Sequence, residues 1–131
     1  MLDWLKKINK EYPEFWKLYL SKFEKKSNRF VVLSTETSGL SLEKDVILSF
    51  GAFSIIDNSV VIGDSFETVV AQYKFFHENG ISNEFTIETK MKKMVEPDAI
   101  YALIDFIGNS VLVGHHIDFD VEMINVALER M

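Results

Sequence analysis

The run Phe30-Val31-Val32-Leu33 constrains this chain more than any other segment, because four apolar residues in a row stop abruptly at Ser34-Thr35-Glu36-Thr37-Ser38-Gly39-Leu40. Unbroken apolar runs of this length suit a strand buried on both faces, which places residues 30–33 inside a sheet rather than at its edge. On a strand, positions two apart share a face, so Ser34 and Glu36 present their side chains together where the strand runs out. Two carboxylates so placed hold a divalent cation through hard oxygen ligands, whereas one carboxylate and one hydroxyl hold it far less well. The bland alternative makes Glu36 a solvated turn residue and Ser34 an ordinary strand end.

More strands follow. Residues 45–56 are rich in Val, Ile and Phe, Asp57-Asn58-Ser59 has hairpin composition, and the chain returns through Val60-Val61-Ile62 and Phe66 to Val70. Residues 75–80 read as loop and Ile87 to Val95 as a short basic helix. Pro97 opens a helix carrying Ile100, Leu103, Ile104 and Ile107, which Gly108-Asn109 closes. Val111 to Val113 form a short buried strand that leads through Gly114-His115-His116 into a last helix with Met123, Ile124, Ala127 and Leu128 on one face. Asp120 falls in the first turn of that helix. A carboxylate there offsets the helix dipole, and Asp118 reads as the N-cap.

Two of these segments together carry a resemblance. Ser34 to Leu40 resembles the first motif of the DEDD-type 3′-5′ exonucleases, the DnaQ-like superfamily of the DNA polymerase III epsilon subunit, oligoribonuclease and RNase T. That motif reads Asp-x-Glu-Thr-x-Gly-Leu after an apolar strand; Glu36, Thr37, Gly39 and Leu40 match it, and Ser34 stands in place of the first Asp. His115, Phe119 and Asp120 match the second motif, with His116 where Asn is usual. The resemblance implies an α/β fold: a ribonuclease H-like mixed sheet flanked by helices, in which strand 30–34 pairs antiparallel with 45–56 and lies parallel beside 111–114, with Glu36 and Asp120 converging at one end.

The resemblance also implies a reaction, metal-dependent hydrolysis of nucleotides from the 3′ end of DNA or RNA. In the family two Mg²⁺ or Mn²⁺ ions are held by acidic residues and a His deprotonates the attacking water. By position, Glu36 and Asp120 become metal ligands and Ser34 a degenerate ligand position. Thr37, Leu40, Phe119 and His115 line the place of the terminal nucleotide. The family's third motif, a His and a closing Asp, would lie beyond residue 131, so the chain reads as a fragment or a shortened relative. An exonuclease-family domain with impaired or absent activity is therefore expected, and the alternative is a degenerate fold that binds nucleic acid or protein. The partners implied are single-stranded or 3′-ended DNA or RNA, and a polymerase or other protein.

Composition agrees with one compact domain: 131 residues, 47% apolar, no cysteine. The absence of cysteine, of a signal-type segment and of a long apolar run favours a cytoplasmic protein and no membrane. Residues 1–29 hold eight Lys/Arg against four Asp/Glu, and the remaining 102 hold six against sixteen. No broad basic stripe for phosphates exists, although a metal-carboxylate site is itself acidic before cations fill it. Residues 1–28 form a separate amphipathic helical segment before the exonuclease-like region 29–131. Leu5, Ile8, Tyr12, Phe15, Trp16, Tyr19 and Phe23 recur there at helical spacing, with Pro13 in the first turn of a second helix. A basic face with two tryptophans suits a membrane surface or a partner helix, but the favoured reading is an aromatic face docked on its own domain with the lysines in water. No Gly-x-Ser-x-Gly elbow surrounds Ser34 and no glycine-rich phosphate loop occurs. His115-His116 can join a metal, but adjacent histidines point apart and more often bond locally.

Overall fold

The computed structural model describes residues 12–72 and 93–131. After the helix α1 (Glu14–Ser21) and a 3-10 turn (Lys22–Glu24) come β1 (Arg29–Thr37), β2 (Ile47–Ile56), β3 (Ser59–Ala71), β4 (Lys93–Val95), α2 (Glu96–Ile107), β5 (Val111–Val113) and α3 (Ile117–Glu129). The five strands form one sheet in the order β4-β3-β2-β1-β5. β1 lies between β2 and β5, as its unbroken apolar run requires. It pairs antiparallel with β2, from Arg29 opposite Ile56 to Glu36 opposite Ser49, and parallel with β5, Phe30 to Val32 against Val111 to Val113.

The β2–β3 hairpin turns on Asp57 and Asn58, both at positive φ (51° and 63°), the backbone of a two-residue turn whose twist matches the strands it joins. Farther along, the partner of β2 jumps from Ser65 to Val61, so Ile62, Gly63 and Asp64 bulge out of the ladder.

β4 corrects the sequence reading for residues 93–95, which form a strand parallel to β3 and not the end of a basic helix. Lysine-rich composition favours helix, but Met94 packs on the core between exposed Lys93 and Val95, the period-two pattern that pairing with β3 rewards. Residues 75–80 and 87–92, read as loop and helix, lie outside the described residues.

α2 and α3 cover one face of the sheet. Val31, Leu33, Ile47, Phe50, Ala52 and Val70 pack there on Ala99, Ile100, Leu103, Met123 and Ala127, all buried. The other face carries Phe30, Phe53, Val111 and Val113, all exposed, which corrects the reading of 111–113 as a buried strand: with one face of the sheet uncovered, only Leu112 packs on the core. α1 docks outside α2: Phe15 meets Tyr101 edge-on at 4.4 Å, Trp16 and Tyr19 pack against the core, and Asn109 Nδ2 donates to the carbonyls of Lys22 (3.0 Å) and Lys25 (2.6 Å). Burial pushes the Tyr19 phenol above its ordinary pKa. The helical spacing of Phe15, Trp16 and Tyr19 thus serves packing on the chain's own domain. No helix among the described residues is long and apolar enough to cross a membrane.

Arg29 anchors the end of the sheet where β1 begins. Its Nε donates to Asp64 (2.9 Å) and its Nη1 to the carbonyls of Phe106 (2.7 Å) and Ile107 (3.1 Å) and to Ser110 Oγ (2.8 Å), so one guanidinium satisfies carbonyls that the last turn of α2 leaves free. The buried Ser54 hydroxyl lacks a partner at strict hydrogen-bond geometry. Its nearness to Asp64 still helps, with Arg29, to hold that carboxyl below the usual carboxylate range.

Candidate active site

β1 and β5 run parallel and end on the same side of the sheet, and every residue singled out by the sequence stands there. Alternation along β1 sends Leu33 and Thr35 toward α2 and α3 and sends Ser34 and Glu36 to the open face, where both are exposed. Ser34 and Glu36 do share a face. Across the sheet from Ser34 stand Gly51 and then Glu67, and across from Glu36 stand Ser49 and then Val69. The ladder slips between Glu36 and Thr37, where Thr37 pairs with Ile47 and Leu48 is passed over, and β1 ends one residue after Glu36.

Asp120 approaches the same end from the helix side. It is only 7% exposed, and one carboxylate oxygen accepts a short hydrogen bond from the Thr35 hydroxyl. Asp120 and Glu36 therefore reach adjoining residues of β1 but from opposite faces of the strand. Thr35 was not signalled by the sequence pattern, because a residue between two same-face positions reads only as core.

The turn into α3 explains the pair of histidines. His116, not Asp118, is the N-cap: its carbonyl accepts from the N–H of Phe119 (3.0 Å) and Asp120 (3.4 Å), which leaves Asp118 inside the first turn. His116 sits in the left-handed region at φ 52°, where Asn, Asp and His are enriched among non-glycine residues. His116 therefore meets a backbone demand that Asn is equally suited to meet. The His115 ring stands edge-on to His116 at 4.2 Å, both exposed, and Phe119 packs against the core. Gly114 lies so close to β1 that a Cβ there would sit 2.6 Å from the Leu33 carbonyl oxygen. The signal for it was a glycine directly after an apolar strand, where backbones approach closely.

Thr37 closes β1 opposite Ile47, and Leu40 lies on the loop that follows. The Thr37 hydroxyl donates to the Gly39 carbonyl (2.7 Å), and Leu40 is 85% exposed. Among the described residues no three His, Cys, Asp or Glu side chains come together to hold an ion. Glu36 on the open face, a neutral hydroxyl at Ser34 and a carboxylate tied to Thr35 do not fit a centre of two dications, which needs several converging anionic ligands. A cavity of about 410 Å³ between α1 and α2, around Phe15, Leu18, Tyr101 and Ile104, includes none of these residues.

Comparison with known proteins bears on the family and the fold. The family model described as Exonuclease, RNase T, matches residues 31–131. The chain is 33% identical over 114 residues to the DNA polymerase III PolC-type of Clostridium perfringens, covering 79% of this chain and 7% of that protein. It is 30% identical over 111 residues to the DNA polymerase III subunit epsilon of Buchnera aphidicola, covering 77% of this chain and 45% of the relative. The chain thus spans less than half the length of these curated relatives. Among solved structures, Escherichia coli Exonuclease I in complex with a dA16 oligonucleotide superposes with a TM-score of 0.59 at 16% identity, over 79% of this chain and 24% of that one. That likeness is one of fold, a mixed sheet with helices packed on it.

Proposed function

The chain belongs to the exonuclease family whose model spans residues 31–131, and from that premise we propose that it engages the 3′ end of a DNA or RNA strand while its own metal-dependent hydrolysis is impaired. The observation that carries the reading is the pairing of Ser34 with Glu36 on one strand face at the end of β1. A carboxylate at position 34 would put two anionic ligands side by side; the serine leaves one. Asp120 supports the same reading, since it bonds to Thr35 on the helix side of β1, the face opposite to that of Ser34 and Glu36. No hydrolytic step is assigned to these residues alone, because the set they form does not fit the cations such a step uses. Glu36 and Asp120 remain the proposed ligand positions for Mg²⁺ or Mn²⁺, with weak or single-ion binding.

Thr37, Leu40, Phe119 and His115 are the proposed contacts to the terminal nucleotide. The names of the relatives and the oligonucleotide held by Exonuclease I favour single-stranded DNA and a polymerase partner. A binding module without turnover is the second reading, favoured by the hydrogen-bonded loop that presents Leu40.

The test is an assay of the purified chain with Mg²⁺ or Mn²⁺ on end-labelled single-stranded DNA and RNA, with binding measured on the same strands. Negligible turnover with binding that requires a free 3′ end is expected. Robust, chelator-sensitive digestion would overturn the impairment, and equal indifference to every 3′-ended strand would overturn the engagement.

A further inference from the structure

The loop between β1 and β2 is braced by a single carboxylate. Asp45 Oδ1 accepts from the Ser38 hydroxyl (2.9 Å) and Oδ2 from the backbone N–H of Ser41 (2.8 Å). The loop is closed around that carboxylate by three more bonds: Ser38 N–H to the Val46 carbonyl (2.9 Å), Val46 N–H to Ser38 Oγ (3.0 Å), and Asp45 N–H to the Ser41 carbonyl (2.9 Å). Gly39 lies against the carboxylate so closely that a Cβ there would fall 2.5 Å from Oδ2 and 2.8 Å from Cγ. The carboxylate cannot swing aside without breaking its bonds to Ser38 and Ser41.

Ser38, Ser41 and Asp45 bond to one another within this loop while the apolar side chain of Leu40 turns out. Leu40 is 85% exposed although its neighbours on both sides are held. A single exposed leucine is ordinary on a protein surface. What distinguishes this one is the frame beneath it, which fixes Leu40 and Thr37 beside the end of β1 at no ordering cost when a ligand arrives. An apolar side chain so fixed matches the face of a nucleobase, a contact that tolerates any sequence.

We infer that Asp45 is a positioning residue, which through Ser38, Gly39 and Ser41 holds Thr37 and Leu40 where they meet the terminal nucleotide of a 3′-ended strand. The inference rests on the proposed function and adds to it the element that sets end selectivity. Asp45→Asn keeps one acceptor oxygen but replaces the other by an N–H₂ group that cannot accept, so one of the bonds from Ser38 and Ser41 is lost and the other loses its charge assistance. Gly39→Ala drives a methyl into the carboxylate and disturbs the same frame from the other side.

The experiment uses the full chain and a nuclease-resistant phosphorothioate DNA strand, linear with a free 3′-hydroxyl or closed into a circle of the same sequence, with binding read by fluorescence anisotropy. The unmodified chain should prefer the linear strand. Asp45→Asn and Gly39→Ala should each lose about five- to tenfold in affinity for the linear strand, the weight of one base contact, and Leu40→Ala should match them. Affinity for the circle should not move, a split that a merely structural role for Asp45 would not give. Amide hydrogen exchange at Ser41 should quicken in Asp45→Asn with no nucleic acid present. Unchanged exchange at Ser41 would overturn the brace itself, and quickened exchange with the end preference intact would overturn its role in binding. Should Asp45→Asn not fold, Gly39→Ala carries the same comparison. A chain without any end preference in its unmodified form would instead overturn the proposed function and this inference with it.

Discussion

Gly114→Ala probes the contact that sets β5, and with it the start of α3, against β1. The added Cβ would lie 2.6 Å from the Leu33 carbonyl oxygen and 3.1 Å from Ile117 Cδ1. Leu33 cannot retreat, because it is 1% exposed and its strand is paired on the other side, Leu33 opposite Ala52. Relief therefore requires β5 to move by about 0.8 Å, the gap between 2.6 Å and the 3.4 Å at which ordinary contact begins. A hydrogen bond of ordinary length stretched by that much leaves the bonding range. The β1–β5 ladder has only three residue pairs to lose. Overpacking of this kind costs about 1–3 kcal/mol, which for a chain of this length lowers Tm by roughly 4–12 °C. Gly51→Ala is the matched control: nothing lies within 4 Å of its Cβ, and removing a strand glycine stabilises by roughly 0.5–1 kcal/mol. Thermal melts followed by circular dichroism should place the two variants on opposite sides of the unmodified chain. A Gly114→Ala melt that coincides with that of the unmodified chain would refute the reasoning.

Two further outcomes follow from polar contacts. Asp64 titrates below its ordinary value of 3.8 when folded, so its stabilising effect is present above that pH and is lost as pH falls through the folded value. Arg29→Met should therefore cost stability at neutral pH, and urea titrations should find the gap to the unmodified chain narrowing below about pH 4, modestly because Asp64 is largely exposed; a gap that stays constant would contradict the pairing. Thr35→Val strips the nearly buried Asp120 of its donor and should destabilise by about 1.5–3 kcal/mol while Thr35→Ser stays near the parent, so equal denaturation midpoints for the two would argue that the bond contributes nothing.

Much of the fold was legible because it is written in local patterns. Phe30 to Leu33 announced an internal strand, Asp57-Asn58 a two-residue turn, and Pro97 and Gly108 the two ends of α2; Gly108 does adopt positive φ, 57°. β4 was misread because the lysines before Met94 favour helix and only pairing with β3, remote in sequence, decides otherwise. The N-cap was misplaced by two residues because Asp118 has the better capping side chain, while the chain turns two residues earlier through a left-handed histidine. Arg29 gave no local signal, since its partners Asp64 and Phe106 are far away in sequence. At the candidate site, spacing alone put Ser34 beside Glu36. That Asp120 comes to Thr35 from the other face depends on which side of the sheet carries α3, a matter of packing that spacing does not encode.

The central claim is that a missing charge at position 34 weakens cation binding at the end of β1, and a calorimetric titration with Mn²⁺ tests it most directly. The unmodified chain should bind weakly, and Ser34→Asp, which sets two carboxylates on one strand face, should bind at least about tenfold more tightly, with the gain abolished when Glu36→Gln is added. Equal Mn²⁺ affinity for the unmodified chain and Ser34→Asp would contradict the account.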